Sequence, residues 1–451
     1  MKLSDRTEQL INADLEYVIH PAGLVGQPDL NRVFEKAYGI YIEDTEGKQY
    51  IDLSSQLMCV NLGHGQKKIQ TAIKEAIDKT DYTTTYWGLS NPYNIECAQK
   101  LAKITPGNLN HFYFTCGGGE SVDAAIKVAR MYWHYQGRNE KRKIVSLYNA
   151  YHGTTGIAVS ATTFGSGMYH VAIEPVTPGF LHIAPPYCYR CFHGLTYPSC
   201  DLACARYLEK IITSEGAASI AGFIAEGIQG AGGIIDPPPE WWPLIREICT
   251  KHEVILIEDE VMSGFARTGK MFAIEHWDVI PDVMTMAKGI SNAALPFGAV
   301  AVNDQIYEVL RGKMFGHGTT YAGHPICSAA SVAALELYEE LNVVENAAKV
   351  GKHIRERLDN EFSTLPCVGD IGGKGMFQGI ELVADKNTKQ PPSKEFLDKL
   401  RNILWDRGIV LREAGLLMNR LIVAPPCTMT IDEADKALDI VYSVMAGLLP
   451  E

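Results

Sequence analysis

HFYFTCGGGESVDAAIKVARMYWHY, residues 111–135, changes its period halfway along. HFYFT reads as a strand, glycines 117–119 as a tight turn, and ESVDAAIKVARMYWHY as a helix. Strand, glycine turn and helix in that order are the repeating unit of an α/β fold. Further apolar runs follow the same rhythm: KIVSLY (143–148), AGFIAE (221–226), VILIEDE (254–260), VMTMAK (283–288) and GAVAV (298–302). Near-continuous Val, Ile and Ala suit parallel strands covered on both faces. Glu226, Asp259 and Lys288 stand where three of these runs end. The carboxyl ends of strands in an open parallel sheet form the ligand crevice.

The expected architecture is α/β, with a large domain (61–325) built on a mostly parallel sheet flanked by helices. A smaller α+β domain (326–451) begins with the long helical run PICSAASVAALELYEE and contains the short strands GMFQGIELVAD, GIVLRE and RLIVAPP. The first sixty residues carry a hairpin, YGIYIEDTEGKQYIDLSS, and are expected to pack with the small domain.

Composition narrows the function. The 451 residues carry 41 basic and 53 acidic side chains, a formal charge of −12. That balance argues against nucleic acid, which needs a basic footprint. No apolar run has membrane-spanning length and the start, MKLSDRTEQL, is charged, so a cytoplasmic protein without a membrane partner is expected. Eleven cysteines then read as reduced thiols.

Five short stretches carry chemistry. Lys288 is the one charged residue between Asp282 and Val300, and burial frees a lysine amine as a nucleophile; the alternative is a lysine snorkelling from a strand end. Asp259 closes a strongly apolar strand and needs a cationic or hydrogen-bonding partner, with helix-capping acids as the alternative. Adjacent strand residues face opposite sides, so Glu258, Asp259 and Glu260 cannot share one site equally. Gly117, Gly118 and Gly119 open a helix, where free N–H groups and the positive dipole end attract an anion. Tyr151 and His152 stand at the end of KIVSLY and offer a ring at the crevice rim. GHGTTYAGHP (316–325) precedes the long helix. A phosphate, a flat ring, a basic ring nitrogen and a carbonyl would satisfy these groups together, and pyridoxal 5'-phosphate has all four.

The run IEDEV…GFARTGK, then MAKGI, then TYAGHP resembles the class III aminotransferases, the ω-transaminase group of the fold-type I pyridoxal phosphate enzymes. The resemblance extends from YIDLSS to LIVAPPCTMT. It implies that Lys288 is the Schiff-base lysine and Asp259 the acid that keeps the pyridine nitrogen protonated. Val261 would lie beneath the ring, Tyr151 above it, and Gly118 and Gly119 at the phosphate. Glu226 and Gln229 would stand near the ring hydroxyl and substrate entrance. Thr320 would reach the phosphate of a neighbouring subunit, which implies a homodimer with shared sites, or a tetramer built from it. Arg412 would receive the acceptor's carboxylate. Leu57, Met58, Tyr86 and Trp87 would line the substrate pocket. Three residues depart from the family pattern: Gly119 where Ser or Thr is usual, Gly227 where proline is usual, and Ala266 in place of a glycine.

The resemblance further implies transfer of an amino group from a small ω-amino acid (taurine, β-alanine or 4-aminobutyrate) to 2-oxoglutarate or pyruvate. The rival is a pyridoxal phosphate lyase acting on a phosphorylated amino alcohol, with Arg190 and Arg206 as cations for its phosphate. Cys188, Cys191, Cys200 and Cys204 form a C-x2-C-x8-C-x3-C pattern. The spacing is compatible with a structural zinc, to which His193 could contribute, and equally with buried thiols. The resemblance implies no metal.

Overall fold

The computed structural model describes residues 3–25 and 32–448; parts of the 1–60 segment, residues 1, 2 and 26–31, lie outside them. Fifteen strands are found among the described residues, in three sheets. Three near the N-terminus are β1 (Phe34–Tyr38), β2 (Tyr41–Asp44) and β3 (Gln49–Asp52). The central seven are β4 (His111–Thr115), β5 (Lys143–Leu147), β6 (Phe180–Ile183), β7 (Ile220–Glu226), β8 (Ile255–Asp259), β9 (Val283–Met286) and β10 (Gly298–Val302). The last five are β11 (Val368–Lys374), β12 (Phe377–Leu382), β13 (Ile409–Val410), β14 (Arg412–Ala414) and β15 (Arg420–Val423).

The central sheet runs β4-β10-β9-β8-β7-β5-β6. Strands β5 to β9 pair in parallel, as their unbroken apolar runs predict. GAVAV departs from that reading: β10 is antiparallel to both β4 and β9. The reason is the connection. Residues 287–297 are too few for the crossover of a dozen or more residues that a parallel return requires, so the chain doubles back. β6 was not among the strands read from the sequence.

Alternation along the strands builds a core on each face. Ile224, Ile257, Val283 and Val300 pack with Val122, Ile126 and Ala129 of the helix Gly118–Tyr135. Phe223, Leu256, Met284 and Ala299 join the larger cluster on the opposite face. Asp259 is two residues beyond Ile257 and so faces the side of the Gly118–Tyr135 helix, whereas Glu258 and Glu260 face the other.

GIVLRE does not form one strand. Ile409–Val410 pairs in parallel with β3, and after Leu411 the chain enters the antiparallel sheet β11-β12-β15-β14. The break ties the first strands to the last hundred residues and delivers Arg412 to a sheet edge.

Candidate active site

Lys288, Asp259 and the glycine-opened helix converge on one cavity of about 450 Å³, a volume typical of cofactor and small-ligand sites. Its lining includes Gly118, Gly119, Tyr151, Glu226, Val261 and Thr155.

β9 ends at Met286, so Lys288 lies beyond the strand, first in a short 3-10 turn with φ +51°. A left-handed conformation at a non-glycine residue is strained and clusters at functional sites. The turn re-aims the side chain into the cavity, which keeps it partly accessible while protein surrounds it. Burial lowers its pKa, against the opposing charges of Cys59, Asp259 and Glu226. The neutral amine is therefore more available than on a surface lysine.

Asp259 is held from three sides. His152 Nδ1 lies 2.7 Å from Oδ2, and Oδ1 accepts from Thr285 Oγ1 at 2.9 Å and from the Val261 backbone N–H at 3.0 Å. These contacts fix the orientation of the carboxylate. The sequence reading set His152 beside Tyr151 without giving it a role, and it missed Thr285. A polar residue inside the apolar run VMTM was the available sign.

Glu226 Oε1 accepts from the Tyr151 N–H at 3.1 Å and Oε2 from the Gly230 N–H at 2.8 Å. Burial pushes this carboxyl up to about 7, opposed first by His152. Gly118 abuts Val261, whose Cγ1 would stand 2.7 Å from a Cβ placed there. Any side chain at 118 would displace Val261 from the cavity wall.

Other expected residues lie elsewhere. Met58 is buried in the hydrophobic core and is not part of the cavity lining; its neighbour Cys59 is. Leu57 is exposed. Gln229 donates to the Tyr148 carbonyl at 3.0 Å. Tyr86 and Trp87 line a second, larger cavity of about 710 Å³ with His317 and Gly318. Thr320 is in the loop that borders this second cavity and does not line the first. Arg412 is exposed and donates from Nε to the Gln56 carbonyl at 3.0 Å. Ala266 has φ +69°, a conformation that the expected glycine would adopt without strain.

The cations suggested for the lyase are engaged away from the cavity. Arg190 pairs with Glu381 and donates to the Lys389 carbonyl at 2.7 Å, and Arg206 pairs with Asp201 at 2.9 Å. Cys188, Cys191, Cys200 and Cys204 border one small void with His193. Among the described residues no three His, Cys, Asp or Glu are placed to hold a metal ion. Burial pushes the thiols of Cys188 and Cys204 up to about 11.

Behind Asp259, Glu258 and Glu260 form a buried carboxyl pair. Glu260 accepts from Ser263 Oγ at 2.7 Å and from the Ile274 N–H at 2.9 Å. Neither Glu258 oxygen has a hydrogen-bond partner among the described residues that meets the same geometry. Gly227 explains how Glu258 fits, since a Cβ there would stand 2.9 Å from Glu258 Oε1. Burial and mutual repulsion raise the Glu258 carboxyl, and burial raises Glu260. The folded protein thus holds these protons more tightly than the unfolded chain. For Glu260 that stabilisation is complete below the ordinary value of 4.5 and is lost as pH rises through about 7. Glu260→Gln imitates the protonated acid, so the variant is expected to melt with the parent at pH 5 and about 2–4 °C above it at pH 8. Thermal melts at the two pH values check this, and an equal shift at both would refute it.

The class-III aminotransferase family pattern matches residues 24–445. The chain is 34% identical to the putrescine–pyruvate aminotransferase of Pseudomonas aeruginosa, over 91% of this chain and 89% of that protein. It is 33% identical to the diaminobutyrate–2-oxoglutarate transaminase of Halomonas elongata, over 90% and 88%. The crystal structure of a thermostable (S)-enantioselective omega-transaminase from Thermomicrobium roseum superposes with a TM-score of 0.92 at 36% identity, covering all of both chains. The glycine-opened helix, the cavity beside it and the buried Asp259 fit pyridoxal phosphate, the cofactor on which this family depends. The chain belongs to the class III aminotransferases, pyridoxal-phosphate-dependent enzymes of the fold-type I architecture.

Proposed function

We propose that the enzyme moves the amino group of a small ω-amino acid or terminal amine to a 2-oxo acid, 2-oxoglutarate or pyruvate, in two half-reactions at one site. The observation that carries this reading is the meeting of Lys288, Asp259 and the glycine-opened helix around one cavity. When bound, pyridoxal phosphate supplies an electron-withdrawing ring that stabilises negative charge on the donor carbon. Lys288 would anchor the cofactor and would carry a proton to and from the donor carbon on its Nζ, a role its lowered pKa suits. Asp259 would accept a hydrogen bond from the protonated ring nitrogen, and His152 and Thr285 keep its carboxylate aimed. Tyr151, Val261 and Glu226 line the cavity; the first two would pack against the ring and Glu226 would meet its hydroxyl. Gly118 and Gly119 present backbone N–H groups to the phosphate.

Trp87, Met314 and Tyr321 are exposed, at 89%, 78% and 59%, on or next to the walls of the second cavity. An apolar patch of this kind marks an interface. A second copy of the chain seated there would bring Thr320 to its partner's site, as the family resemblance implies, and Tyr86 along with it.

Arg412 is the acceptor's anchor in this reading, since a guanidinium grips a carboxylate in a two-pronged fork. The relative that acts on putrescine and pyruvate supports a small terminal amine as donor. The test is to mix holoenzyme, without acceptor, with taurine, β-alanine, 4-aminobutyrate and putrescine separately, and follow the absorbance of the bound cofactor. Conversion to the amine form by one of them names the donor. No change with any donor, together with phosphate release from phosphoethanolamine, would replace this reading with the lyase. Arg412→Ala is expected to raise KM for the 2-oxo acid about 10–100-fold while the putrescine half-reaction keeps its rate; an unchanged acceptor KM would remove Arg412 from the role.

A further inference from the structure

We propose that Thr155 binds the cofactor phosphate through its side-chain hydroxyl, filling the place that a side chain on residue 119 would otherwise take. The proposal rests on the pyridoxal phosphate reading of the cavity and is independent of which donor the enzyme uses.

Thr155 Oγ1 is buried and has no hydrogen-bond partner among the described residues. A buried hydroxyl without a partner is costly, so a ligand atom that meets it is favoured. The residue lines the same cavity as Cys116, Gly117, Gly118, Gly119 and Lys288. It also occupies the space beside the helix opening. A Cβ built on Gly119 would stand 3.1 Å from Thr155 Oγ1 and 3.2 Å from its Cγ2. The bare glycine and the threonine are therefore complementary, and a serine at 119 would crowd the hydroxyl that is already there.

The loop bearing Thr155 is fastened to the helix that would hold the anion. Asp123, on the Gly118–Tyr135 helix, accepts from the Ile157 N–H at 3.2 Å and the Ala158 N–H at 2.7 Å. The Thr155 carbonyl accepts from Val159 N–H at 2.9 Å. Gly153, at φ +109°, passes so close that a Cβ on it would stand 2.7 Å from Gly119 Cα. These contacts hold Thr155 against the first turn of the helix without using its hydroxyl.

Three other hydroxyls nearby are already committed. Ser291 Oγ donates to the Leu295 carbonyl at 2.8 Å, and Thr115 Oγ1 and Ser121 Oγ share a hydrogen bond of 2.7 Å. A phosphate at the helix opening would accept from the free backbone N–H groups, and Thr155 adds a side-chain donor that the triple glycine lacks.

The experiment compares pyridoxal phosphate with pyridoxal, which has no phosphate, in titrations of the apoenzyme followed by cofactor absorbance. Thr155→Val keeps the shape and removes the donor. It is expected to weaken pyridoxal phosphate about tenfold and to leave pyridoxal within about twofold. Thr155→Ser is expected to bind both as the parent does. In the Thr155→Ala background, Gly119→Ser is expected to recover most of the lost phosphate affinity, whereas Gly119→Ser alone brings no gain because the space is taken. Equal effects of Thr155→Val on both ligands, or no effect on either, would overturn the proposal. So would a gain in affinity from Gly119→Ser in the parent. None of these readouts needs turnover, so an error in the substrate assignment leaves them interpretable.

Discussion

Lys288→Ala holoenzyme is expected to transaminate at least about four orders of magnitude more slowly than the parent. Two losses combine. The cofactor loses its covalent anchor, and the donor carbon loses the group that takes up its proton. Two neighbours on the cavity wall are poor substitutes: Tyr151 has its hydroxyl pushed up by burial and Glu226 is tied to two backbone N–H groups. Reduction with borohydride followed by mass analysis checks the first loss, since the cofactor mass should fix to the peptide containing Lys288 in the parent and to no peptide in the variant. Single-turnover conversion with an added small amine checks the second. Partial rescue by methylamine is expected, because a free base can reach an amine-sized gap. A variant retaining parental turnover would move the chemistry to another residue.

Asp259→Asn should slow turnover by about two to three orders of magnitude while cofactor binding survives. Its environment makes the exchange harsher than isosteric size suggests. Thr285 Oγ1 and the Val261 N–H both donate to Oδ1, and His152 Nδ1 lies at hydrogen-bond distance from Oδ2. An amide nitrogen in place of Oδ1 turns a donor against two donors, and in place of Oδ2 it meets His152 Nδ1 only with the ring in its other tautomer. The variant also cannot match the positive charge of a protonated ring nitrogen. The loss is expected in kcat for every donor, with a shifted pH dependence of the bound-cofactor absorbance. A change in KM alone would make Asp259 a structural acid.

How far the chain can be read without its structure differs between residues. Lys288 was legible because a lone ammonium in an apolar run is conspicuous, and Asp259 because a carboxylate ending a hydrophobic strand demands a partner. That partner was not legible. His152 lies 107 residues before Asp259, and neither its spacing nor its neighbours distinguishes it from a loop histidine. Glu258 and Glu260 flank Asp259 in sequence, and strand alternation said that the three could not share one site equally. It could not say that Gly227, thirty-one residues earlier, would leave room for a buried carboxyl.

The sequence by itself determined the α/β class, nearly every central strand, the helix that opens on three glycines, and the family, because these depend on local periodicity and on motifs read in order. The tertiary structure alone decided the antiparallel insertion of β10, the division of GIVLRE between two sheets, and the removal of Met58 from the cavity wall. It alone set Thr155 against Gly119. Each of those outcomes depends on which distant segment occupies a given space, and packing of that kind leaves no period along the chain.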